Sequence, residues 1–100
     1  MNKLLANGGN SPVCQVLRWK NDRVKIGGQK TVTFKELYED YQMWVSKCMG
    51  QYILKKTSFT YYFYIVFREE IDNSLILKRK KHPVTFLNLE IADSVHINEN

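Results

Sequence analysis

The chain has 100 residues, with 15 Lys and Arg against 10 Asp and Glu, a formal net charge of +5 and a pI of about 9.3. That is one ordinary domain. A Rossmann or P-loop domain would need most of this length and a glycine fingerprint, and neither fingerprint is present. A 44% apolar and 13% aromatic share excludes a disordered chain. The longest unbroken apolar run is the seven residues 61–67. A membrane-spanning helix needs roughly 20, so no membrane partner is expected.

Residues 1–10 read as a mobile arm. Met1-Asn2-Lys3-Leu4-Leu5-Ala6 opens like a signal peptide, but Asn7-Gly8-Gly9-Asn10 interrupts it before an apolar core of roughly 7 to 15 residues is complete. Ser11-Pro12 then starts a helix: Ser is a good N-cap, and Pro at the first helical position loses no hydrogen bond. Val13, Val16 and Leu17 share one face, and the helix should stop near Asn21-Asp22. Residues 23–32 contain Gly27-Gly28 and read as a loop with a short strand at either side.

The second helix opens on a capping box, Thr33-Phe34-Lys35-Glu36. Phe34, Leu37, Tyr38, Tyr41, Trp44, Val45 and Cys48 trace one stripe at helical spacing, and Gly50 is the expected stop. The stripe is core, with the Tyr38 and Tyr41 hydroxyls expected at the surface. Cys14 and Cys48 lie in apolar helical patterns with no CxxC spacing. They read as reduced core thiols in a cytosolic or nuclear setting, with no metal site and no cofactor.

Residues 57–70 are rich in β-formers, yet Phe59, Tyr62, Phe63, Val66 and Phe67 repeat at 3.6 and Thr57 or Ser58 can cap. The flanking segments favour a helix. Leu75-Ile76-Leu77-Lys78-Arg79-Lys80 then reads as a strand, Lys81-His82-Pro83 as a turn, and residues 84–91 as a second strand. Residues 93–100 read as a flexible tail, which leaves residues 11–92 as the domain.

The order helix, extended loop, helix, helix, basic hairpin describes an α+β winged helix-turn-helix, three helices followed by a β-hairpin wing, with an eight-residue turn over 49–56. A recognition helix presents its N-terminal residues to the groove. Here that end reads Lys55, Lys56, Thr57 and Ser58, cations and hydroxyls suited to phosphate oxygens. Thr60, Tyr61, Tyr64 and Arg68 form the outward face, placed for base edges or sugars. The hairpin tip, Lys78, Arg79, Lys80, Lys81 and His82, is a run of cations that repel one another without a partner. DNA is therefore the expected partner, whether duplex, single-stranded or forked.

The sequence also resembles the C-terminal winged-helix domain of the poxvirus-type primase-helicases of viruses and phages. Leu37-Tyr38 with Tyr41 and Trp44 is similar to that family's LYxxYxxW helix. Ser11-Pro12-Val13 resembles the domain's start, and Lys56-Thr57-Ser58-Phe59 with the basic hairpin resembles its recognition helix and wing. The likeness covers residues 11–92. It implies an accessory role in replication beside a ring helicase or primase, inside the cell, in the host cytoplasm or nucleus if the source is viral. The chain departs from the full family in having no GxxxxGK[ST] loop and no acidic primase metal site, so ATPase and primase chemistry are not expected in it. Either the chain is a fragment of a longer protein or it is a free-standing relative with the binding role alone.

Catalysis is not expected. The two Cys and two His form no dyad, Glu36 is used as a cap, and the adjacent Glu69 and Glu70 diverge on a helix. Three tyrosines within four residues, Tyr61, Tyr62 and Tyr64, would suit stacking on unpaired bases as well as a groove. The alternative is a protein-interaction or oligomerisation module, a homo-oligomer among its forms, using an aromatic patch of Trp19, Tyr61 and Tyr64 with the basic hairpin.

Overall fold

The computed structural model describes residues 11–49 and 52–92; the expected arm, the Gly50 stop and the expected tail lie outside the described residues. The elements in order are α1 (Pro12–Arg23), β1 (Val24–Thr33), α2 (Phe34–Trp44), a π-helical turn (Val45–Met49), α3 (Lys56–Val66), α4 (Arg68–Asp72), β2 (Leu77–Arg79) and β3 (Thr85–Ile91). The class is α+β. Among the described residues, four helices pack on one three-stranded antiparallel sheet in the order β1-β3-β2. No helix among them is long and apolar enough to cross a membrane.

Local chemistry explains the helix starts. The Ser11 hydroxyl accepts from the Cys14 N–H, Pro12 fills the first turn, and Lys20 and Arg23 sit in the last turn against the negative end of the dipole. The face turned inward is Cys14, Gln15, Val16 and Trp19, whereas Leu17 is exposed. Of the expected face, Val16 is fully buried, Val13 half-buried and Leu17 exposed. The Thr33 capping box forms as expected: Glu36 N–H donates to Thr33 Oγ1 and Thr33 N–H to Glu36 Oε1, each at 3.0 Å.

Residues 24–33 form one strand, β1, whose two short paired ends flank a bulge where the loop was expected. Val24, Lys25 and Ile26 pair with Ile91, Glu90 and Leu89, and Thr31, Val32 and Thr33 pair with Leu87, Phe86 and Thr85. Between these stretches residues 27–30 bulge out opposite Asn88 alone. The bend is held by left-handed backbone at Gly27 (φ 103°), Gln29 (φ 64°) and Asn88 (φ 70°). Gly27 is where the sequence breaks the strand signal and where the backbone needs a residue without Cβ.

The core lies between the helices and the sheet. Trp19, Leu37, Tyr41, Phe59, Phe63, Phe67, Phe86 and Leu89 are fully buried. Phe59 is its hub, with Tyr41 stacked at 4.6 Å and Trp19 edge-on at 5.5 Å. Tyr41 is buried to its hydroxyl, which donates to Gln15 Oε1 and accepts from the Leu54 N–H, so it does not reach the surface. Tyr38 Oη donates to the Leu54 carbonyl at 2.8 Å and Gln15 Nε2 to the Tyr52 carbonyl at 3.0 Å. Three side chains thus fasten the extended segment that leads into α3.

Three further expectations are corrected. Cys48 is exposed, not a core thiol. After Trp44 the backbone turns with i→i+5 bonding, so the phase read at 3.6 residues does not carry through. The helix expected over 57–70 is two: the chain breaks at Phe67, whose backbone (φ −103°, ψ 9°) is not helical, and α4 adds a fourth helix to the expected three. The hairpin's first strand is only Leu77–Arg79. Ile76 is buried just before it, Leu75 is exposed, and Lys80 has left the ladder.

Candidate nucleic-acid interface

α3 starts two to three residues earlier than its hydroxyls suggest. Lys55 is the N-cap and Lys56 the first helical residue, with no side-chain cap. Neither Thr57 nor Ser58 caps, and the leading backbone N–H groups of α3 emerge between two lysines, an arrangement attractive to an anion. Lys55, Lys56 and Thr57 are exposed and Ser58 is half-buried. The apolar periodicity fixes the roll of the helix. Phe59, Phe63 and Phe67 point into the core, which turns Thr60, Tyr61, Tyr64 and Arg68 outward.

Packing then brings the hairpin to α3. Phe34 N–H donates to the Val84 carbonyl at 2.9 Å, which ties the start of α2 to the base of the hairpin. The Tyr64 ring lies 6.4 Å from Phe86 on β3, and Lys78 Nζ on β2 sits 4.7 Å above the Tyr64 ring. The result is an open cleft of about 460 Å³ between α3, the start of α2 and the hairpin. Lys56, Thr60, Tyr64, Lys78 and His82, all anticipated, line it. So does Lys35, which sequence reasoning did not place there. It lies off the core stripe of α2 and closes the basic stretch 18–35, but the neighbours that make it part of this cleft come from the hairpin, far along the chain. The cleft wall therefore carries three Lys and a His, and no carboxylate.

A second cleft, of about 730 Å³, adjoins the first across Thr60 and Tyr64. Its remaining walls are Tyr61, Ile65, Arg68, Ile71 and Asp72. Tyr61 is 64% exposed and Ile65 45%. The tyrosines expected to act alike are thereby separated. Tyr64 is half-buried between α3 and the hairpin with a cation over its ring, whereas Tyr61 stands in solvent, its ring 5.0 Å from that of Tyr62 and nearly perpendicular to it. The Thr60 hydroxyl donates to the Lys56 carbonyl at 2.7 Å, so its proton is spent inside the helix and only lone pairs face the cleft.

Arg79, Lys80 and Lys81 are exposed at the hairpin tip and do not line either cleft. The interaction patch built on Trp19 does not exist as expected: Trp19 is fully buried, and its Nε1–H donates to Asp40 Oδ2 at 2.9 Å. Comparison with protein-family models, with curated proteins and with solved structures finds no match to this chain.

Proposed function

We propose that this chain is a winged helix-turn-helix DNA-binding domain, in which α2 and α3 are the helix-turn-helix and the β2–β3 hairpin is the wing. The order of elements and the strand order β1-β3-β2 support this reading. The observation that carries it is the cleft in which Lys56 at the start of α3 meets Lys78 and His82 of the hairpin, with Lys35 beside them. Cations from three elements converge on one groove beside a helix N-terminus, which is the requirement for holding a phosphate backbone. Lys55, Thr57 and Ser58 extend that surface along α3, and Arg79, Lys80 and Lys81 extend it along the hairpin. The resemblance to primase-helicase C-terminal domains supports an accessory role in replication, with the motor or primase chemistry residing outside these residues.

The test is fluorescence anisotropy with labelled DNA between about 50 and 200 mM salt. If four to six phosphates are neutralised, log K should fall against log salt with a slope of roughly −4 to −5. Reversing Lys78, Arg79, Lys80 and Lys81 to Glu should abolish binding, with the circular dichroism spectrum unchanged. A folded reversal variant that binds normally removes the hairpin from the interface.

A further inference from the structure

Charge and polarity change along the outward face of α3 and α4. The N-terminal end carries Lys55 and Lys56, with Lys35, Lys78 and His82 across the cleft. The middle is aromatic and apolar, with Tyr61 and Ile65. The far end carries Arg68 with the two carboxylates Glu69 and Asp72, all exposed. A duplex lying along the whole face would bring phosphates to these carboxylates, and like charges at an interface select against that pose. It would also set Tyr61 and Ile65 against base edges, where the thymine methyl is their only apolar partner. An unpaired base, by contrast, offers a flat uncharged face.

We infer that the cleft of Tyr61, Ile65, Arg68 and Ile71 takes an unpaired base of a DNA strand whose adjoining phosphates lie in the Lys35, Lys56 and Lys78 cleft, so that the preferred ligand is a duplex end with an unpaired arm. This rests on the DNA-binding reading and adds to it the form of DNA. The two clefts share Thr60 and Tyr64, so a strand crossing Tyr64 passes from one to the other without leaving the surface. Tyr64 cannot be the stacking ring on the side that the Lys78 ammonium occupies. Tyr61 is exposed enough to be one, and the Arg68 guanidinium borders the same cleft, able to stack on a base, while the Asp72 carboxylate in its wall favours the uncharged base over a phosphate there.

The test compares a blunt duplex with the same duplex carrying a short unpaired arm, in anisotropy titrations of wild type, Tyr61→Ala and Tyr61→Phe. Wild type should bind the tailed duplex roughly 5- to 100-fold more tightly than the blunt one, the range that one stacked base supplies. Tyr61→Ala should erase that ratio, weakening the tailed duplex far more than the blunt one, and Tyr61→Phe, which keeps the ring, should retain it. Equal affinity of wild type for both DNAs overturns the inference and leaves the DNA-binding reading intact. So does a preference that survives in Tyr61→Ala. Absence of binding to either DNA overturns both. The wild-type ratio decides even if a variant fails to fold.

Discussion

Tyr41 joins three parts of the chain through one ring. It belongs to α2, its hydroxyl donates to Gln15 of α1 and accepts from the Leu54 N–H, and its ring stacks on Phe59 of α3. Removing the hydroxyl in Tyr41→Phe leaves a buried N–H without its partner, which costs about 1–3 kcal/mol in a urea unfolding titration. Burial pushes the Tyr41 hydroxyl up to about 12 from the usual 10. The native state therefore favours the protonated phenol more than the unfolded chain does. That contribution is complete below about pH 10 and is lost as pH rises toward 12, where the unfolded chain gives up a proton that the native state still holds. The melting temperature of wild type should fall more steeply than that of Tyr41→Phe across this window. Parallel curves would show that Tyr41 ionises alike in both states.

At the scale of elements, α3 is started by a residue that does not cap it. Lys55 offers no acceptor to the free N–H groups, and its charge faces the positive end of the helix dipole. Lys55→Asp supplies both an acceptor and the complementary charge. It should raise unfolding stability by about 0.5–2 kcal/mol and weaken DNA binding at the same time. A gain in both would show that Lys55 is not where phosphate is held, and a loss of stability would show that an acidic residue does not cap α3 there.

The same element shows what sequence could and could not reveal. The capping box of α2 was legible because its two partners lie three residues apart. So was the buried Phe59, Phe63 and Phe67 face of α3, a purely local periodicity. Where α3 begins was not, because Thr57 and Ser58 are better caps than Lys55 by propensity. The start is instead decided by Tyr38, Tyr41 and Gln15 pinning residues 52–54 from other helices. The strand β1 was hidden by Gly27-Gly28, since a four-residue bulge opposite Asn88 makes sense only once β3 lies alongside. Lys35 and the parting of Tyr61 from Tyr64 depend on contacts with the hairpin, which no spacing within a helix encodes.

Over the whole molecule, the cations divide by environment. Lys20 and Arg23 are drawn inward. Lys20 Nζ meets Glu70 at 2.9 Å and the Val66 carbonyl at 2.7 Å, and Arg23 Nη2 meets Asp40 at 2.8 Å, with the four charged side chains 11–16% exposed. The hydrogen bond to Asp40 holds the Arg23 guanidinium above its ordinary range. These pairs tie α1 to α2 and to α4. The lysines of the α3 and hairpin clefts have no such burial and give much of the +5 net charge its outward expression. Screening reaches exposed charges within a Debye length of roughly 10 Å but weakens shielded pairs far less. Salt should therefore separate binding from stability. Between about 50 and 200 mM, the proposed DNA binding should weaken by roughly two to three orders of magnitude. Over the same range the melting temperature of the free protein stays level or rises slightly, because repulsion among Lys78, Arg79, Lys80 and Lys81 is relieved while the Lys20 and Arg23 pairs persist. Differential scanning calorimetry on the free protein across the salt range measures this directly. A marked drop in melting temperature would mean that the inner pairs are open to solvent, and α1 would then be held by the aromatic core around Trp19 alone.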